Sequence, residues 1–317
     1  MRIVVIGGTG HIGTYLTPRL VEAGHEVVCI TRGSREPYRA SAAWRAVRRI
    51  AADRAEEEKK GIFAPRVADL KPDAVMDLVC YTPESNRQLV DALAGRVRHF
   101  LHCGTIWVNG HTEVAPTPET RPKRPFCDYG KNKLQIETDL MQAAQRGGFP
   151  ATVLHPGHIV GTGWPPINPQ GHLGTWVFEK LARGEEIPLP NFGLETMHHV
   201  HADDVALSFM LALENWSSAV GESFFVVSPA AVTLRGYAEE AAAWFGRKAA
   251  LSFLPWEQWR ATVTESEAAI TLDHISHSPN CSIEKARRLL GYRPRYSSFE
   301  AARESVEWLL DRGAISV

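Results

Sequence analysis

No stretch of this chain stays apolar for the ~20 residues a bilayer crossing needs, so no membrane-spanning helix is read from it. An excess of one charge is also missing. Lys and Arg total 35 against 36 Asp and Glu, a formal net charge of -1, which gives no electrostatic reason to expect nucleic acid or a membrane surface as the main partner. Cysteine is scarce, scattered at Cys29, Cys80, Cys103, Cys127 and Cys281, with no C-x-x-C pair and an odd count. That argues against a disulfide framework and for a reduced cytoplasmic setting, with the thiols as small apolar fillers. Internal repeats and low-complexity segments are absent, and the opening residues read as a strand rather than a signal peptide.

What is present is alternation. Ile3–Ile6, Glu26–Ile30, Val47–Ala51, Ala74–Leu78, His99–Cys103 and Thr152–His155 read as strands, separated by helix-like segments that include 128–146. Such alternation predicts an α/β fold, a Rossmann-type doubly wound parallel sheet with helices on both faces. The AEEEKK run at 55–60 reads as a solvated helical face. From Gly161 to Gly174 the chain is rich in Pro and Gly and reads as a loop leaving the nucleotide half. Beyond it, 175–183, 203–214, 282–290 and 299–312 read as helices, and 197–201 and 223–227 as strands. The expected division is a dinucleotide-binding domain over 1–165 and a smaller substrate lobe over 166–317, some of whose segments return to the first domain.

Three glycines, Gly7, Gly10 and Gly13, lie between the first strand and a helical pattern of Ile12, Tyr15, Leu16, Leu20 and Val21. Strand, glycine turn and helix together present backbone N–H groups to an anion and let a pyrophosphate approach closely. Further on, Tyr129 and Lys133 stand four apart at the start of a helix, sharing one face. A neighbouring ammonium favours phenolate, which makes Tyr129 a candidate acid–base group. Thr105 falls at the carboxyl edge of the His99–Cys103 strand, where its hydroxyl can reach the same substrate oxygen.

These features together resemble the extended short-chain dehydrogenase/reductase superfamily, in its NAD-dependent epimerase/dehydratase branch. The likeness runs through the glycine turn, Asp53-Arg54, Thr105, Tyr129 and Lys133, then HPGHIVG (155–161), HADDVA (201–206) and KARRLLGYRP (285–294). It implies a bound NAD(P), held by Gly7, Thr9, Gly10, His11, Ile12, Gly13, Arg32, Asp53, Arg54, Tyr129, Lys133 and Pro156. Tyr129 would be the acid–base, Lys133 would hold the nicotinamide ribose and tune Tyr129, Thr105 would orient substrate, and Asp53 would touch the adenine. It further implies hydride transfer at a hydroxyl or ketone carbon of a sugar-like or small polar molecule, by a homodimer joined through helices that include the Tyr129 helix.

The second strand ends in Thr31-Arg32 with no carboxylate, and arginine suits a 2′-phosphate, so NADP is favoured over NAD. The alternative for Arg32 is stacking on adenine or facing solvent. His158 stands where many nucleotide-sugar enzymes carry asparagine, and Met197 near their diphosphate-binding arginine, which puts a conventional nucleotide-sugar site in doubt. His158 is either a substrate-binding group or a structural histidine satisfied by backbone. The MHHVHADD run invites a metal reading, but His198 points away from His199 and His201 on a strand, and Asp203 reads as a helix cap, so no metal is assigned. Trp256 and Trp259 read as packing, with stacking on a substrate ring the alternative. The competing function is RNA binding or regulation on the same fold, since the second half loosely resembles chloroplast stem-loop-binding proteins. The small net charge and the Tyr129–Lys133 pair weigh against nucleic acid and for a small-molecule substrate.

Overall fold

Ile3, Val4 and Val5 have no solvent exposure, as β-branched residues do in a strand covered on both faces. In the computed structural model, which describes residues 1–316, this strand is β1 (Arg2–Ile6). It is followed by β2 (Glu26–Thr31), β3 (Arg48–Ala51), β4 (Ala74–Asp77), β5 (His99–Cys103) and β6 (Ala151–Pro156). The second half adds β7 (His158–Val160), β8 (Glu186–Pro190), β9 (Thr196–Met197), β10 (His199–His201), β11 (Ser223–Val226), β12 (Val232–Thr233) and β13 (Ala250–Leu254).

A seven-stranded sheet runs in the order β11-β6-β5-β4-β1-β2-β3, every pair parallel. The order reverses direction between β1 and β4, so a crevice opens beyond the carboxyl ends of those two strands. Separate apolar cores cover the two faces, one built around Leu16, Leu101 and Phe209, the other around Val67, Leu89 and Ile136. A third core, with Phe178, Leu189, Tyr237 and Val306, draws on elements of the second half, where β8 pairs with β13 and β9 with β12. No helix among the described residues is long and apolar enough to cross a membrane.

Several local expectations are corrected. The strand anticipated over 197–201 is broken at His198, whose carbonyl accepts the His158 N–H while its ring nitrogens meet Ser228 O and Cys281 N. Asp203 does not cap the helix Ala202–Glu214. His201 does, accepting the Asp203 N–H at 3.0 Å, because the Asp203 carboxylate is drawn into ion pairs with Arg19 and Arg295. Trp259 is fully buried and donates to Pro188 O, so it is packing. Helices Leu234–Trp244 and Glu265–His277 lie where no element was anticipated.

Many imidazoles are buried. Desolvation pushes His99, His198 and His274 down to about 4, and His11 and His199 to about 3. An unfolded histidine titrates near 6.5, so below that pH the unfolded chain binds protons that the native chain refuses. Their stabilising effect is therefore complete above pH 6.5 and is lost as pH falls toward 4. The melting temperature at pH 5 should lie at least about 5 °C below that at pH 7.5. A profile flat across that interval would contradict the burial of these rings as neutral groups.

Candidate active site

Three glycines, Gly7, Gly8 and Gly10, build the turn after β1, and a fourth, Gly13, lies in the helix that follows. Gly7 has φ +86° and sits against Val79, which follows β4, and a Cβ at Gly7 would come within 2.7 Å of the Val79 side chain. Gly8 and Gly13 have no room because the turn packs against Cys29 and against the helix His11–Glu22, so Gly13 serves helix packing rather than ligand approach. Gly10 caps that helix with no side-chain hydrogen bond, and no acidic residue lies in the first turn. An uncapped helix start with a glycine in front of it is what a pyrophosphate needs.

This turn forms one wall of a cavity of about 490 Å³, inside the range of roughly 300–1,000 Å³ typical of small-molecule sites. Gly7, Thr9, Gly10, Arg32, Asp53 and Arg54 line it. His11, Ile12, Gly13, Pro156, Tyr129 and Lys133 do not. Ile12 is in the core, and the His11 ring stacks on Trp164, its centroid 5.5 Å away. Arg32 has no ion-pair partner among the described residues, and Arg35 shares the same mouth. Asp53 accepts the Glu56 N–H, capping a short helix. Arg54 is drawn inward: it donates to both oxygens of Asp77, at 2.8 and 2.9 Å, and to Glu58, so it is first a wall of the cavity. Asp77, Cys80 and His102 bring potential metal-ligating atoms within 4.8 Å of one another, but the Arg54 guanidinium already neutralises the carboxylate. The MHHVHADD histidines form no such group among the described residues.

Thr105, Tyr129 and Lys133, the three residues of the acid–base pattern, stand outside this lining, with Lys133 next to its Tyr81. Thr105 caps a 3₁₀ turn, Ile106–Asn109, through the Trp107 N–H. The helix Asp128–Gly147 packs against that turn, which sets Tyr129 near Thr105. Burial pushes the Tyr129 phenol above its ordinary range, the Cys103 thiol adds to this, and the Thr105 hydroxyl pulls against it. Lys133 is 2% exposed, and its Nζ donates to Cys80 O and Cys103 O, both at 2.7 Å. Its ammonium lies 6.0 Å from the centre of the Tyr129 ring and 5.2 Å from that of Tyr81. Burial pulls the ammonium below its ordinary range. In this state Lys133 fastens the sheet edge, and one N–H is left for another acceptor.

A second network, not anticipated from the sequence, ends on Thr105. The Thr105 N–H donates to His155 Nδ1 at 3.0 Å, which places the ring proton on Nε2, 3.3 Å from Glu137 Oε2. Glu137 in turn holds Lys123. Burial would raise the Glu137 carboxyl, but His155 and Lys123 hold it well below the usual range. The lone polar residue in the apolar run Val153-Leu154-His155 was the only sequence signal for it. His158 has no hydrogen-bond partner among the described residues for either ring nitrogen, which removes the reading of a backbone-satisfied histidine.

The sequence model of the NAD dependent epimerase/dehydratase family matches residues 3–227. The chain is 26% identical to the chloroplast stem-loop binding protein of 41 kDa b from Arabidopsis thaliana, over 98% of this chain and 80% of that one. It is 24% identical to the UDP-glucose 4-epimerase of Streptococcus mutans, over 95% and 94%. With the 2'-dehydrokanamycin reductase of Streptomyces kanamyceticus it shares 27% identity, over 68% of this chain and 58% of that one. The crystal structure of the Thermotoga maritima UDP-glucose 4-epimerase with UDP-glucose superposes with a TM-score of 0.73 at 22% identity, covering 98% and 99% of the two chains.

The His155 contact depends on Gly104, where a Cβ would collide with the imidazole. Gly104→Ala should cost about 1–3 kcal/mol in urea unfolding, and it should lower turnover by displacing Thr105. Wild-type values for both would contradict the packing described.

Proposed function

The chain belongs to the NAD dependent epimerase/dehydratase family, and from that membership we propose that it is an NAD(P)-dependent oxidoreductase or epimerase acting at a hydroxyl or ketone carbon. The observation that carries this reading is the convergence of Thr105, Tyr129 and Lys133 at the carboxyl edge of β5, next to an uncapped helix start and a cavity of about 490 Å³. The nicotinamide cofactor, when bound, supplies or accepts the hydride. The Gly7–Gly10 turn and the first turn of the helix His11–Glu22 hold its phosphates, with Asp53 and Arg54 in the wall of the adenosine end. Lys133 offers its remaining N–H to the ribose without leaving its two carbonyls.

Tyr129 exchanges the proton. Its phenol is held in the protonated form, so it is ready to donate to a carbonyl oxygen, and the Thr105 hydroxyl binds that same oxygen. The His155 ring, 3.3 Å from Glu137, accepts the Thr105 N–H and so holds the Thr105 backbone and its hydroxyl in place. Arg32, unpaired at the cavity mouth beside Arg35 and Ser34, supports a preference for the 2′-phosphate of NADP.

A second reading, RNA binding on this scaffold, draws support from the likeness to the stem-loop binding protein. Steeply salt-dependent RNA retention by a protein that binds no nicotinamide dinucleotide would favour it.

Tyr129→Phe should lower turnover by at least about 100-fold while NADP affinity changes little. Near-normal turnover would remove Tyr129 from the acid–base role. Arg32→Asp should reverse the ratio of NADP to NAD affinity, measured by fluorescence titration, and an unchanged ratio would contradict the assignment.

A further inference from the structure

A cluster of rings stands beside Tyr129. Trp107 lies edge-on to Tyr129, centroids 6.2 Å apart, and stacks on His277 at 4.2 Å. Phe126 packs on the other side of His277 at 4.2 Å, and His158 lies 6.2 Å from Trp107 and 4.7 Å from His274. The segments that bring these rings together are 105–127, 158–175, 195–201 and 265–278.

Their charges are unusual for a site that would hold a diphosphate. Residues 158–175, 195–201 and 265–278 contain no Lys or Arg. Segment 105–127 contains Arg121, Lys123 and Arg124, and each is already paired: both arginines with Glu113, at 2.8 and 3.1 Å, and Lys123 with Glu137. The imidazoles do not supply the missing charge, because burial, reinforced by neighbouring histidines, holds His158 and His277 below their ordinary range and His274 at about 4. Met197, near where nucleotide-sugar enzymes place an arginine, is fully buried in the third core. A diphosphate brought here would lose its hydration without gaining a cation.

The same groups suit a different ligand. Both nitrogens of His158, and Nε2 of His277, are buried and have no hydrogen-bond partner among the described residues. A buried polar atom left unpaired is costly, and a neutral imidazole offers one donor and one acceptor, the complement of a hydroxyl. The Trp107 indole, one face of which is covered by His277, adds an apolar wall beside His158. We propose that the substrate of this site is an unphosphorylated cyclic alcohol or ketone, set against Trp107 and hydrogen-bonded by His158, rather than a nucleoside-diphosphate sugar. The proposal rests on the reading of Tyr129 as the acid–base group, since it is Tyr129 that makes this the substrate side.

The test uses the full chain saturated with NADP, so that the cofactor cavity cannot accept a nucleotide probe. Uridine diphosphate is titrated calorimetrically. A panel of cyclohexanol, 1,2-cyclohexanediol, myo-inositol and methyl glucopyranosides is screened by saturation-transfer NMR. The expected result is no heat from uridine diphosphate up to about 1 mM, and saturation transfer to at least one panel member. That signal should fall by at least about five-fold in Trp107→Ala and in His158→Asn, with NADP affinity retained as evidence of folding. Micromolar binding of uridine diphosphate overturns the proposal, as does a panel that gives no signal or a signal indifferent to both substitutions. Turnover is not measured, so a failed catalytic reading shows separately, as a Tyr129→Phe protein that remains fully active.

Discussion

One buried ammonium fastens the carboxyl edge of β4 and β5. Lys133 Nζ donates to the carbonyl of Cys103, the last residue of β5, and to that of Cys80, just beyond β4. An ion removed from water costs several kcal/mol unless its donors are met, so the side chain holds the helix Asp128–Gly147 against the two strands. That helix carries Tyr129 beside the turn that Thr105 caps, and the Thr105 N–H is held by His155. The fastening also spends most of the ammonium's donors, leaving a single N–H for a ligand. Lys133 is therefore first of all a structural element.

The two sides of this edge differ in chemistry. Toward the β1/β4 crevice the walls are backbone N–H groups, glycine and free arginine at the mouth, a setting for an anion. Beside Tyr129 the walls are Trp107, Phe126 and neutral imidazoles, and the cations present are already matched by Glu113 and Glu137. Charge is thus concentrated on the proposed cofactor side, and the proposed substrate side is left to apolar contact and hydroxyl recognition.

Much of this was legible in the sequence where the signal is local. The β-branched run before the glycines, the helix-start position of Tyr129 and Lys133, and Thr105 at a strand end each follow from period and turn chemistry over a few residues. The rest depended on partners distant in the chain. Arg54 turns inward because Asp77 lies on a neighbouring strand, and Asp203 leaves its capping role because Arg19 and Arg295 approach from other elements. The relay of Lys123, Glu137 and His155 joins a loop, a helix and a strand, and no spacing in the chain announces it. Helix Glu265–His277, which brings His274 and His277 to Trp107, has an apolar pattern too weak to stand out beside its own polar residues.

The most direct measurement is a crystal structure of the full chain grown with NADP. The account predicts pyrophosphate on the Gly7–Gly10 turn, Lys133 still bound to both carbonyls with its third N–H on the nicotinamide ribose, and the Tyr129 oxygen beside the nicotinamide ring. A dinucleotide whose nicotinamide end is turned away at Tyr81, with Tyr129 out of its reach, would contradict it.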